Sequence, residues 1–448
     1  LRSSHGTNAY RKISYVIITA ITIATLSGCS ISEKDLFEKK SKSKPVTTPG
    51  AISVIDINGD VHETSVNVIE ESDTDAEEDD QGTTLPTRTL AEVAQNMSLS
   101  DDSNFAYSQL DDERKVLYQE IYAILLDMLE KVEVSSRDSD DIDLAFRAVM
   151  VDHPEIFYVK GYSIGKYVNK DVIKKIVFSG TYTMSADEVK KNREAVDEYV
   201  NSVIVNAPES GDYEKIKYVY DYLIRNNEYV QDSENNQNIL SVVLNGETVC
   251  QGYTKVMQLI LNKMGIFCTL VNGTACGRNG IPDADDLKDA ENAEWGGHVW
   301  NIVRCNGLYY NLDVTWGDAA ITLMNQDGTV SKDIDVNYEF FLVDDASLVH
   351  THDPDPVVPM PRCISMEDNY YHHEGVYFTS VDDAQLSRAF ESALSSGNTH
   401  VFIKASDEEV FGQLERYLFE DQRVFRYLGR TNVRYVEFPE RNLIMISL

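Results

Sequence analysis

Gly246-Glu247-Thr248-Val249-Cys250-Gln251-Gly252-Tyr253 is the stretch on which the reading of this 448-residue chain turns. Beyond Cys250, Tyr253, Val256, Met257, Ile260 and Met264 recur at three- and four-residue spacing until Gly265. That pattern predicts a helix closed by a C-terminal glycine, so Cys250 stands at a helix N-terminus. Unpaired backbone N–H groups and the positive end of the helix dipole favour the thiolate there, and can receive the oxyanion of a tetrahedral intermediate. A thiol so placed is a candidate nucleophile.

Two downstream segments supply its partners: Gly296-Gly297-His298-Val299-Trp300-Asn301 and Leu312-Asp313-Val314-Thr315-Trp316-Gly317-Asp318. Between them lies Asn306-Gly307, a two-residue hairpin signal, with strands expected from His298 to Cys305 and from Leu308 to Trp316. With the turn fixing the register, Trp300 faces Asp313 and His298 faces Thr315, and His298 and Asp313 fall on one face as diagonal neighbours. Such neighbours lie about 7–8 Å apart at the backbone, close enough for an imidazole and a carboxylate to meet. His298 would then exchange a proton with Cys250, while Asp313 fixes the tautomer and steadies the imidazolium. Each residue alone reads more readily as a core cysteine, a hydrogen-bonded core histidine or a strand-end aspartate than as a catalytic group. Their joint placement favours a site.

On these motifs the chain resembles the transglutaminase-like superfamily, whose fold is related to that of papain-like cysteine proteases. The resemblance covers roughly residues 211 to 318 and extends more loosely through Tyr338-Glu339-Phe340-Phe341-Leu342 and the His350 to His352 stretch. It implies an α+β fold in which a cysteine at a helix N-terminus packs on an antiparallel sheet. The family's nucleophile falls on Cys250, its histidine on His298 and its aspartate on Asp313. It further implies a cysteine enzyme that forms a thioester from peptide or protein amides, acting as a hydrolase or as an amide transferase. A non-catalytic binding or structural protein that keeps the fold stands beside this reading, as does acetyl transfer by the same chemistry. No acidic loop matches that of the calcium-dependent animal members, and neither cofactor nor metal is expected. The Cys250 N–H is the ready oxyanion donor, with Asn245 and the Trp300 indole as weaker candidates for the second.

A hydrophobic content of 42% suffices for two or three packed units. The formal net charge of −34 argues against a nucleic-acid partner, because phosphate binding needs clustered Lys and Arg.

Arg2, Arg11 and Lys12 precede an apolar stretch from Ile13 to Leu26, too short to span a bilayer as a helix. The following Leu26-Ser27-Gly28-Cys29 resembles the bacterial lipoprotein box, which makes residues 1–29 an export signal and Cys29 the lipid attachment site. The expected location is extracytoplasmic and lipid-anchored at a bacterial membrane, facing peptide or protein substrates of the cell envelope. Residues 30–100 are polar, lysine-rich near the anchor and acidic from Glu70 to Asp80, which predicts a flexible tether with one short strand at Ala51 to Ile57.

Residues 101–210 read as an N-terminal helical, α+β block: helix over 109 to 151 ended by Asp152-His153-Pro154, strands around Lys175 to Met184 and a helix at about 186 to 206, with a further helix at about 211 to 226 leading on towards Cys250. The catalytic core is expected at 211–356. Within it, the acidic segment from Cys276 to Gly297 predicts a mobile loop before His298. Residues 357–448 read as a small α/β accessory domain, its second helix introduced by Ser406-Asp407-Glu408-Glu409 as a capping box. Cys268, Cys276, Cys305 and Cys363 fit no dense disulfide framework and read as readily as buried thiols. His153 reads as a capping or packing residue. His350, His352, His372, His373 and Cys363 match no zinc spacing and read as loop and surface positions.

Overall fold

The computed structural model describes residues 50–51, 54–55, 61–62, 65–70, 104–277, 294–318, 322–324, 330–332 and 336–448. The expected export signal, Cys29, most of the expected tether and residues 278–293 of the expected loop lie outside them. Residues from Pro49 to Leu448 group as one unit, and the other, Leu1 to Thr48, lies wholly outside the description. No helix among the described residues is long and apolar enough to cross a membrane.

The architecture is α+β, built, among the described residues, on three main sheets beside two-stranded pairs. In the first, β1 (Ser65–Glu70) runs parallel to β3 (Val159–Asn169), which forms a hairpin with β4 (Val172–Tyr182), and β2 (Val132–Val134) closes the far edge. Here the structure corrects the sequence reading three times. The stretch read as tether contains β1, whose Ser-Val-Asn-Val-Ile-Glu alternates at the period of a strand. The expected strand at 51–57 is two two-residue pieces, Gly50–Ala51 and Val54–Ile55. The single helix expected over 109 to 151 is also two, α1 (Asp112–Leu126) and α2 (Ser139–Asp152), with β2 between. Met128 and Lys131 take positive φ to make that break, a conformation with no glycine to announce it.

The second sheet carries the site. Its order is β8 (Phe341–Val343), β7 (Leu308–Leu312), β6 (Trp295–Cys305), β5 (Cys268–Cys276) and β9 (His352–Pro354), antiparallel throughout. β6 and β7 turn at Asn306 and Gly307, both at positive φ as a primed two-residue hairpin requires. Against this sheet lies α5 (Cys250–Lys263), preceded by α3 (Ala186–Ile204) and α4 (Asp212–Asn226). Asn301 Nδ2 sits 3.1 Å from the carbonyl of Thr254 in α5 and 3.3 Å from that of Thr269 in β5, and Thr254 Oγ1 donates to the Val299 carbonyl at 3.2 Å. Buried bonds of this kind contribute about 0.5–1.5 kcal/mol each, and they lock the helix to the strand that holds His298.

The third sheet is C-terminal and mixed, in the order β10 (Tyr377–Phe378), β11 (His400–Ala405), β13 (Leu443–Ser447), β12 (Tyr435–Phe438), with α6 (Asp383–Ser395) and α7 (Glu408–Glu415) packed on it. The cap of α7 is Asp407, which accepts the Val410 N–H at 2.9 Å, in place of the expected Ser406 box. Cys250, Cys268, Cys305 and Cys363 are free thiols and, like Cys276, buried.

Candidate active site

The approach to Cys250 is fixed before the helix begins. Glu247–Thr248 pairs in parallel with Glu228–Tyr229, and Thr248 Oγ1 lies 2.6 Å from Ser241 Oγ. A Cβ at Gly252 would stand 1.9 Å from Thr248 Oγ1, so only glycine lets the first turn of α5 close over that strand. No side chain caps the helix, Val249 being its N-cap, which leaves first-turn N–H groups available to an anion. Cys250 itself is 7% exposed.

His298 lies on β6 opposite Gly273 of β5, and β5 pairs on its other side with β9, Ala275 opposite His352. Facing residues share a sheet face, so Gly273 and Ala275 leave the space between the two histidines almost empty of side chain. A Cβ at Gly273 would meet the Asp353 carbonyl at 2.2 Å and the Trp300 ring at 2.9 Å. The two imidazole rings consequently approach to 5.5 Å between centroids.

Asp313 joins them from the end of β7. The strand stops at Leu312 and a helical turn, Val314–Asp318, begins at once because Asp313 Oδ1 accepts the Trp316 N–H at 3.0 Å. The expected strand through Trp316, with Thr315 facing His298, is therefore replaced by this turn. Asn301 pairs with Leu312, the register read from the hairpin, and the carboxylate still arrives beside the imidazole. His298 Nε2 lies 2.7 Å from Asp313 Oδ2, both side chains essentially buried. His298 Nδ1 is buried with no hydrogen bond of ordinary geometry, while the Cys250 thiol lies near enough to act on the ring by hydrogen bonding and by charge.

Burial alone would strip the charge from His298. Asp313, and then Cys250, outweigh it and push the imidazole up to about 10. Burial likewise opposes the Asp313 charge, yet His298 and a hydrogen bond from His352 hold the carboxyl well below its usual range. Near neutrality the pair is thus an imidazolium and a carboxylate.

His352, expected at a loop position, belongs to the site. It is fully buried in β9, and its Nε2 lies 3.1 Å from the same Asp313 Oδ2. Gly273 and Ala275, small residues on the neighbouring strand, make the room its ring occupies, a pairing visible only in the fold. One ligand atom from each of His298, Asp313 and His352 lies within 4.8 Å of the others, a set that could hold a metal ion, and both histidines hydrogen-bond the carboxylate. The other members of the considered zinc group do not converge: His372 stacks on Tyr377 at 4.0 Å, His373 on Tyr213 at 3.5 Å, and Cys363 donates its N–H to Asp345. His153 is buried, stacked on Tyr122 and 2.8 Å from Glu155, a packing role. The Trp300 indole donates to Asn311 at 3.1 Å, which removes it as an oxyanion donor, and Asn245 is exposed.

Residues 198–314 match the sequence model of the Transglutaminase-like superfamily. This stretch is a transglutaminase-like domain. The match takes in Cys250, His298 and Asp313 and ends before His352. No curated protein matches the chain. Among solved structures, one described as a TGase is 12% identical, with 46% of this chain and 55% of that chain covered and a TM-score of 0.23. A candidate cysteine protease from Cytophaga hutchinsonii is 11% identical over 34% and 61%, at 0.21, and a candidate protease from Parabacteroides distasonis 10% identical over 38% and 44%, at 0.19. The chain spans about half the length of these structures, and likeness at such scores bears on neither fold nor activity.

Proposed function

We propose that the transglutaminase-like domain is a cysteine acyl-transfer enzyme acting on peptide or protein amides, with Cys250 as nucleophile, His298 as its acid and base, and Asp313 as the group that orients His298. The observation that carries this reading is the 2.7 Å bond between His298 Nε2 and Asp313 Oδ2, which leaves Nδ1 as the nitrogen for the thiol. In the first half-reaction the Cys250 thiolate adds to the amide carbonyl, and first-turn N–H groups of α5 receive the oxyanion. The His298 imidazolium then gives its Nδ1 proton to the departing amine and a thioester remains. In the second half, neutral His298 takes a proton from the incoming water or amine, the thioester breaks, and the thiolate and imidazolium are restored. Export signal and lipid attachment at Cys29 would put this chemistry outside the membrane, on cell-envelope peptides or proteins.

A second reading, a binding or structural protein retaining the domain, is favoured by the near-complete burial of all three side chains. Intact-mass analysis after reaction with p-nitrophenyl acetate separates the two. The enzyme reading expects one acetyl group on Cys250, absent in Cys250→Ala, and discharged faster when an alkylamine is added if transfer competes with hydrolysis. No acetylated Cys250 would leave the binding reading.

A further inference from the structure

We propose that His352 is a positioning residue of the site: a neutral imidazole that donates its Nε2–H to Asp313 and so holds the carboxylate in place for His298. The inference rests on the triad reading above, and deepens it.

Asp313 Oδ2 can only accept when ionised, so both imidazoles must present N–H to it. The bonds measure 2.7 Å from His298 Nε2 and 3.1 Å from His352 Nε2, and Oδ1 accepts the Trp316 N–H at 3.0 Å. A carboxylate fixed by three donors from three elements, β6, β9 and the Val314–Asp318 turn, has no freedom to rotate away from His298. The His352 tautomer is set from its far side: with Nε2 protonated, Nδ1 must accept, and Thr351 Oγ1 lies 2.9 Å from it. That hydroxyl also reaches the Leu348 carbonyl, at the longer distance of 3.2 Å.

The ring is held sideways as well. Trp316, Trp300 and Phe340 surround it at centroid distances of 4.4, 5.1 and 5.4 Å, and the same Trp300 and Trp316 flank His298. This apolar box favours the uncharged form, so His352 supplies a hydrogen bond to Asp313 without competing as a second cation. A fully buried histidine placed only to fill space would need neither the aligned carboxylate nor the hydroxyl. Hydrogen-bond partners that orient metal ligands are worth about 10–100-fold in activity, and a donor that orients a triad carboxylate acts through the same geometry.

The test measures the rate of Cys250 acetylation by p-nitrophenyl acetate in the full chain, comparing His352→Met, which keeps the bulk and removes the donor, with His352→Gln, which can place an amide N–H where Nε2 was. The expected result is a slowing of about tenfold or more in His352→Met and a rate within about threefold of the unsubstituted protein in His352→Gln. Equal rates for His352→Met and the unsubstituted protein, or equal losses in both variants, would overturn the proposal, the second because packing alone would then explain the effect. Should His352→Met not fold, Thr351→Val reads the same relay from its other end: a slowing of about threefold supports it, and an unchanged rate overturns it. Failure of the underlying triad reading looks different, since the unsubstituted chain would then show no Cys250-dependent acetylation and both readings would fall together.

Discussion

At the scale of single residues the site is a matter of where charge is tolerated. Asp313, His298 and His352 are all buried, and the arrangement holds one negative and one positive charge with a neutral donor beside them. Replacing Asp313 by Asn keeps the shape but reverses the hydrogen-bond preference of the group facing Nε2. Acyl transfer should fall by about three to four orders of magnitude in Asp313→Asn with the fold retained, as measured by acetylation rate and circular dichroism. The pKa shifts also fix the sign of the pH dependence of stability. His298, raised to about 10, stabilises fully below its unfolded value, and that contribution is lost as pH rises towards 10. His352 is pushed down to about 4, chiefly by burial and further by the His298 charge, against the pull of Asp313. The unfolded chain therefore binds the extra proton first, and stability falls as pH drops from about 6.5 to 4. Denaturant midpoints across that window should fall less steeply in His352→Gln than in the unsubstituted protein. Parallel slopes would mean that His352 does not titrate as its burial demands.

Among the elements, the close approaches are what the sequence left unsaid. Gly252→Ala should destabilise the protein by about 1–3 kcal/mol, because its methyl would overlap Thr248 Oγ1. Thr248→Ala in the same chain should recover part of that loss, and denaturant midpoints of the four proteins give the coupling. Strict additivity would show that the helix start moves freely. The helix at Cys250, the hairpin at Asn306-Gly307 and its register were legible because periodicity and turn chemistry are local signals. The end of β7 was not, since Val314-Thr315-Trp316 has strand-like composition and becomes a helical turn only through the Asp313 cap. Nor was the break at Met128 to Lys131, where non-glycine residues take positive φ. His352 was hidden for a different reason: its meaning depends on β9 pairing with a strand some eighty residues earlier, which no local pattern encodes.

For the whole molecule, the formal charge of −34 sets the background. Self-repulsion of that size should be relieved by salt, so the thermal midpoint should rise between low ionic strength and about 0.15 M NaCl, where the Debye length is about 8 Å. Lipid attachment at Cys29 is proposed from the Leu26-Ser27-Gly28-Cys29 motif. Cys29→Ala should shift the protein from the membrane to the soluble fraction, and retention of that variant on membranes would remove the anchor. The central claim, that Cys250 is a nucleophile made by its position and by His298, is tested most directly by peptide mapping after brief exposure of the folded chain to substoichiometric iodoacetamide. The account predicts a carboxamidomethyl group on Cys250 ahead of Cys268, Cys305 and Cys363, which are still more deeply buried and have no histidine beside them, and formed much more slowly in His298→Ala. Equal labelling of Cys250 with and without His298, or labelling of the other thiols first, would contradict it.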